Sequence, residues 1–188
     1  APTIVVPIPV EPSGEPAAQR DIAALTYAAN PHKKGLDRIL AAWELARKDG
    51  EQLVVAGANL RVGIAGVRVT GRLEPQAYRA LLRRARVFVA APRREDYGIA
   101  QLEALADGCQ LVTTSAPGPY AALALARALD PRLVVTPDAP PLLADALRAA
   151  LDAPAAGYGA RATAAIAPFR RASVDSVVRD QLLPRLLA

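Results

Sequence analysis

The sequence predicts a doubly wound α/β fold, in which a parallel sheet is covered by helices on both faces. Two observations point there. From about residue 21 to residue 151, short apolar runs alternate with segments of helical period, the order expected of successive strand and helix units. The 188 residues are 52% hydrophobic and 22% charged, enough for one well-buried core and unlike disordered, collagenous or disulfide-built chains.

Residues 1–19 hold a short β-like run, Thr3 to Val6, among five prolines, and read as a strand followed by a linker. The domain proper begins near Asp21. A strand is expected over Ile22 to Ala28, then a helix from about Leu36 with Leu36, Ile39, Leu40 and Trp43 on one face. Strands follow at Leu53 to Ala56 and Val67 to Val69. Tyr78, Leu81 and Leu82 mark a helix, Val87 to Ala90 a strand, and Ile99 to Asp107 a helix. A strand over Leu111 to Thr114 ends at Ala116-Pro117-Gly118-Pro119, and a helix over Ala121 to Leu129 comes next. A strand at Leu133 to Val135 and a helix over Leu142 to Leu151 complete the series. After Gly159 come two further helical stretches, with Val174, Val177, Val178 and Leu182 on one apolar face and Pro184 placed to end or kink the last. The chain thus divides into 1–19, 20–155 and 156–188.

The net charge of +5 fits an anionic small ligand or an anionic membrane surface. It can equally reflect a genome that favours Ala, Arg and Pro. Nucleic acid is a poor fit, because the arginines are scattered along predicted helices and aromatic residues are only 4% of the chain. The single cysteine, Cys109, allows no internal disulfide, and no Cys/His cluster has metal-ligand spacing; a cytoplasmic setting is expected. Charged residues break every apolar run well short of the ~20 residues of a membrane span. The start at Ala1 lacks a charged n-region and reads as a boundary within a longer protein rather than a signal peptide.

In doubly wound sheets ligands sit beyond the carboxyl ends of the strands. Four loops follow predicted strands: Asn30 to Gly35, Gly57 to Asn59, Gly71 to Leu73, and Pro92 to Gly98. The last leads into a segment running from Glu95 through Tyr97-Gly98 and Leu102-Glu103-Ala104 to Gly108, with two glutamates at E-x7-E spacing. This segment, together with Lys33-Lys34-Gly35 and the strand-Gly units ending at Gly57 and Gly71, resembles retaining glycosyltransferases of the GT-B fold, family 4 type (group 1). The resemblance covers about residues 20–155 in the right order. The physics of the segment agrees: a helix beginning near Gly98 aims the N–H groups of Gly98, Ile99 and Ala100 at the strand ends, where a phosphate can approach. A carboxylate one turn in, Glu103, can accept from two adjacent ribose hydroxyls.

The resemblance implies a Rossmann-like domain forming the C-terminal half of a GT-B fold, with a nucleotide sugar as substrate and no separate cofactor. It implies that Glu103 binds the ribose and that Glu95 contacts hydroxyls of the transferred sugar. Lys34 would neutralise the leaving diphosphate without a metal. Tyr97, Gly98, Ile99, Ala100, Asn30 and Lys33 fall to the donor site, and the base lies near Gly71 and Arg72. The acceptor-binding N-terminal domain becomes the partner of 156–188, and any membrane contact runs through that domain, at the inner face of the membrane.

Three positions depart from the family pattern. Ala28-Ala29-Asn30 stands where a Gly-Arg pair is usual, Cys109 where a proline is common, and Asp96 adds a negative charge beside the proposed phosphate site, where it reads as a helix cap. Structural readings compete elsewhere. Lys33 and Lys34 also fit a solvated turn, His32 a neutral loop position, and Cys109, Trp43 and Tyr120 core packing. The missing arginine favours an alternative function, a catalytically degenerate nucleotide-binding or interaction module of the same fold.

Overall fold

The computed structural model describes residues 3–15 and 17–187. Six strands, β1 (Ile22–Tyr27), β2 (Leu53–Ala56), β3 (Val67–Gly71), β4 (Ala85–Ala90), β5 (Gln110–Thr114) and β6 (Val134–Val135), form one sheet. It is parallel throughout, in the order β3-β2-β1-β4-β5-β6. The expected α/β class therefore holds, in Rossmann-like order. All residues of β2 and β5, and five of the six in β1, are buried, because helices cover both faces and leave no side for alternation.

One face is covered by α1 (Leu36–Ala46) and α5 (Pro140–Asp152), which pack on each other. Against the other lie α2 (Pro75–Arg84), α3 (Ile99–Ala106), α4 (Ala121–Leu129) and α6 (Tyr158–Ala165). α1 buries Leu36, Ile39, Ala42, Trp43 and Ala46, a stripe at helical spacing. Trp43 is fully buried, its indole N–H donating to Ala65 O at 3.3 Å. From β1 the chain steps outward through β2 to β3. It then crosses back under α2 to β4 and steps outward the other way. The loops after β1 and β4 consequently diverge, leaving a crevice at the carboxyl ends of the two central strands.

Three expectations need correction. Thr3 to Val6 form no strand. Pro7, Pro9 and Pro12 remove the N–H donors that would extend a ladder, and the segment is tied down instead by Ile8 N donating to the Tyr97 hydroxyl at 2.9 Å and Val10 N to Phe169 O at 2.8 Å. Leu133 belongs to a 3₁₀ turn, Pro131–Leu133, started by Asp130 Oδ1 accepting from Arg132 N at 3.1 Å, so the edge strand begins only at Val134. Of the two outcomes expected at Pro184, an end or a kink, the end is not what is found. α7 (Arg171–Val177) runs through a widened π-type stretch, Val178–Leu182, into α8 (Leu183–Leu186), since the proline withholds one backbone donor and the turn ahead of it opens. Val174 is buried, Val177, Val178 and Leu182 are half-buried, and Leu183, Leu186 and Leu187 are exposed.

Cys109 follows the glycine that ends α3, where Cys109 N donates to Ala104 O at 2.9 Å and Gly108 N to Leu105 O at 3.0 Å. Its thiol is fully buried against the carbonyls of Leu82 and Ala85, and burial pushes its pKa up to about 11. A thiol that is neither exposed nor ionised reacts slowly. An aromatic disulfide reagent is expected to leave the native protein unlabelled and to label one thiol in denaturant, read by absorbance; rapid native labelling would contradict this packing.

Candidate functional site

The crevice between the β1 and β4 loops opens into a cleft of about 530 Å³, whose lining includes Tyr27, Lys34, Glu95, Tyr97, Gly98 and Glu103. Lys34 arrives on a wound loop. Lys33 N donates to Asn30 Oδ1 at 2.9 Å, Lys34 N to Asn30 O at 2.9 Å, and Leu36 N to Pro31 O at 2.9 Å. Gly35 closes the loop at φ 63° and starts α1. It lies so close to the end of β4 that a side chain there would overlap the Ala91 carbonyl.

The second wall is the loop after β4. Glu95 N donates to Pro117 O at 3.1 Å, which fastens this loop to the turn after β5. Gly98 caps α3 at φ 90°, and a Cβ there would approach a Tyr120 ring carbon to 2.6 Å. Asp96 does not cap the helix as expected. Asp96 lines the cleft, and its carboxylate pairs with Lys33 Nζ at 2.7 Å and Arg94 Nε at 3.1 Å; the neighbouring Lys33 holds its pKa below the ordinary aspartate value. With no side-chain cap, the N–H groups of Gly98, Ile99 and Ala100 donate to nothing among the described residues.

Between the walls, Lys34 Nζ donates to Glu95 Oε2 at 2.7 Å. Glu95 is buried, at 5% exposure, and Gln101 Nε2 donates to the same oxygen at 3.1 Å. Glu103, the fifth residue of α3, lines the cleft, and its carboxylate accepts no hydrogen bond from the described residues. Burial raises its pKa, with Arg79 opposing and Asp107 adding to the shift. A half-buried carboxylate with open acceptor sites suits a pair of hydroxyls.

The remaining predicted residues fall in different places. Tyr97, Ile99 and Ala100 line the cleft. Arg72 lines an adjoining hollow of about 470 Å³, with Ala29, Gly57 and Glu74, and Tyr27 and Tyr78 divide this hollow from the cleft. Asn30 and Lys33 are outside the cleft lining, the first committed to the turn and the second to Asp96. Gly71 ends β3, its carbonyl accepting from Gly57 N at 2.8 Å. The Ala28-Ala29-Asn30 stretch brings no charge to the site, Ala29 being exposed beside the adjoining hollow, and Lys34 is the one cation lining the cleft among the described residues. His32 is exposed, its carbonyl accepting from Arg93 Nη1 at 2.8 Å, and Arg93 is bound in turn to Asp37.

Sequence reasoning missed Tyr27, Tyr78, Gln101 and the part played by Tyr120. Tyr27 and Tyr78 meet with ring centroids 5.5 Å apart, tilted at 60°. Tyr120 is buried, its hydroxyl 2.8 Å from Thr113 Oγ1, and burial pushes its pKa well above the ordinary tyrosine value. The usable signal was position: Tyr27 is the last residue of a strand whose end faces the crevice, and Gln101 is a polar residue on the buried face of a helix. Among the described residues no cluster of His, Cys, Asp and Glu could hold a metal ion, and no helix is long and apolar enough to cross a membrane.

The sequence model of the family described as Glycosyl transferases group 1 matches residues 21–153. A comparison with curated proteins finds no match. Among solved structures, the chain is similar to sucrose-phosphate synthase from Thermosynechococcus elongatus, with TM-score 0.72 and 20% identity over 97% of this chain and 52% of that one. It is similar to a UDP-forming alpha,alpha-trehalose-phosphate synthase from Burkholderia xenovorans, with TM-score 0.67 and 23% identity over 89% and 45%. It is also similar to HepE from Anabaena, solved in complex with UDP and glucose, with TM-score 0.71 and 16% identity over 86% and 48%. The chain spans about half the length of each of these structures. At such identities the likeness is one of fold, that of a Rossmann-like half of a GT-B glycosyltransferase.

Proposed function

Since the chain belongs to the group 1 glycosyl transferases, we propose that residues 20–155 bind a nucleoside diphosphate hexose in the cleft between the β1 and β4 loops. In this reading the domain is the C-terminal, donor-binding half of a retaining hexosyltransferase. The observation that carries it is the convergence of Lys34, Glu95, the uncapped start of α3 and Glu103 on one cleft at the switch in strand order. The uncapped amides and Lys34 receive the diphosphate, Glu103 the ribose hydroxyls, and Glu95 the hydroxyls of the sugar. The hollow beside Arg72 and Tyr27 takes the base.

Transfer releases a diphosphate that gains negative charge as the bond to the sugar breaks. Lys34 would meet that charge. The ammonium is already paired with Glu95, so the diphosphate must compete for it, and donor binding by this half alone is weak. The chemistry belongs to the gap between this domain and an acceptor-binding domain, toward which residues 156–188, with Leu183, Leu186 and Leu187 exposed, would pack. Any peripheral membrane contact would come through that second domain, on the cytoplasmic side.

A second reading has its own support. The Ala28-Ala29-Asn30 stretch in place of a Gly-Arg pair, and a lysine already paired with Glu95, suit a nucleotide-binding module that no longer transfers sugar. Calorimetric titration of nucleoside diphosphates, with and without EDTA, tests binding and its independence of metal together. Weak binding that survives chelation is expected. Absence of binding would remove both readings, and a large loss of affinity on chelation would remove charge compensation by Lys34 alone.

A further inference from the structure

Glu95 is held from one side only. Its Oε2 accepts both from Lys34 Nζ, at 2.7 Å, and from Gln101 Nε2, at 3.1 Å, whereas Oε1 accepts nothing from the described residues. We infer that Gln101 is a positioning residue that fixes the Glu95 carboxylate so that its second oxygen is presented to hydroxyls of the donor sugar. The inference rests on the reading of the cleft as a nucleotide-sugar site.

Three features give Gln101 this part. It is 2% exposed, in the first turn of α3, where its neighbours Leu102, Ala104 and Leu105 are apolar and buried, so an amide there needs a polar partner. Its Oε1 is buried with no hydrogen-bond partner among the described residues, so Glu95 is the one hydrogen-bond partner that its side chain meets there, while Tyr120, its hydroxyl 2.8 Å from Thr113 Oγ1, packs its ring on Gly98 at the start of the same helix. The amide has one workable orientation, since its oxygen turned toward the carboxylate would set two acceptors face to face.

Lys34 cannot hold Glu95 through the whole cycle. When a diphosphate enters, the ammonium is drawn toward the phosphates, and a carboxylate held by the lysine alone would swing with it. The neutral amide of Gln101 feels no such pull. It keeps Oε2 in place while the lysine gives its charge to the leaving group, and Oε1 stays aimed at the sugar.

The test compares two probes on the purified chain: the nucleoside diphosphate among UDP, GDP, ADP and TDP that the wild type binds tightest, and its glucose ester. Gln101→Met keeps the length and volume of the side chain without its donor. It is expected to weaken the glucose ester about fivefold relative to the bare diphosphate, the scale of one lost hydrogen bond. Glu95→Ala should move the ratio the same way and further. Gln101→Glu, which keeps the shape but offers an acceptor at neutral pH, should also lose the preference; it stands in if the melting curve of Gln101→Met shows loss of fold. Equal weakening of both probes, or an unchanged ratio, would overturn the positioning role and leave Gln101 as packing. A wild type that binds no nucleoside diphosphate would overturn the nucleotide reading itself, and is told apart by the first titration.

Discussion

Gly35→Ala is expected to destabilise the domain by about 3 kcal/mol or more, through a left-handed backbone and a steric overlap acting together. The φ of 63° costs any other residue roughly 1–2 kcal/mol. The added methyl must also displace the Ala91 carbonyl, which is backbone at the exit of β4 and has no flexible end to yield. Relief requires the Asn30 to Gly35 loop to lift away. That movement breaks the bond from Arg93 N to Lys33 O, 3.0 Å, and takes Lys34 off Glu95. Gly50→Ala is the control. Its φ is 81° but a Cβ there meets nothing within 4 Å, so only the backbone term applies. Urea unfolding should separate the two variants clearly, and equal losses would show that the approach to β4 carries no strain.

The second large effect is on transfer. These 188 residues acting alone are expected to turn over no donor at a useful rate, because an acceptor hydroxyl and the anomeric carbon must be held together and that positioning contributes ~7–11 kcal/mol. The chain spans about half the length of the solved structures it resembles. An open cleft also leaves Lys34 in contact with water, where its attraction for a diphosphate is weakened. Donor binding in the high-micromolar to millimolar range follows, roughly −4 to −6 kcal/mol. Steady multiple-turnover release of nucleoside diphosphate from a nucleotide sugar by this chain would contradict that expectation.

Much of the fold was legible because central parallel strands, buried on both faces, read as unbroken apolar runs. Leu53–Ala56 and the helix Ala121–Leu129 match their expected bounds at both ends. Legibility failed where the neighbours decide. Thr3 to Val6 have strand-like side chains, but prolines on their C-terminal side deny them a ladder, and Leu133 is taken into a turn by the cap at Asp130. The same divide runs through the site. Lys34, Glu95, Gly98 and Glu103 stand in loops and a helix start whose place at strand ends follows from chain order. That Lys34 meets Glu95, 61 residues on, depends on β1 lying beside β4, which no local pattern encodes. Asn30 and Lys33 are the residues expected to stand in for the absent arginine, and in the wound loop they meet the Lys33 amide and Asp96 instead, which only the folded loop shows. Gln101 and Tyr120 act from behind, as polar groups buried among apolar ones, and only tertiary packing shows what they face.

The most direct measurement is calorimetric titration of the best-bound nucleoside diphosphate into the wild type and into Glu103→Ala. Glu103 is the carboxylate in the cleft that no described residue uses as an acceptor, and its removal leaves the Lys34–Glu95 pair in place. The account predicts a loss of about 1–3 kcal/mol in the variant, as charge-assisted bonds to the ribose disappear. An unchanged affinity, in a variant that melts like the wild type, would show that the nucleotide does not lie along α3 and would contradict the site.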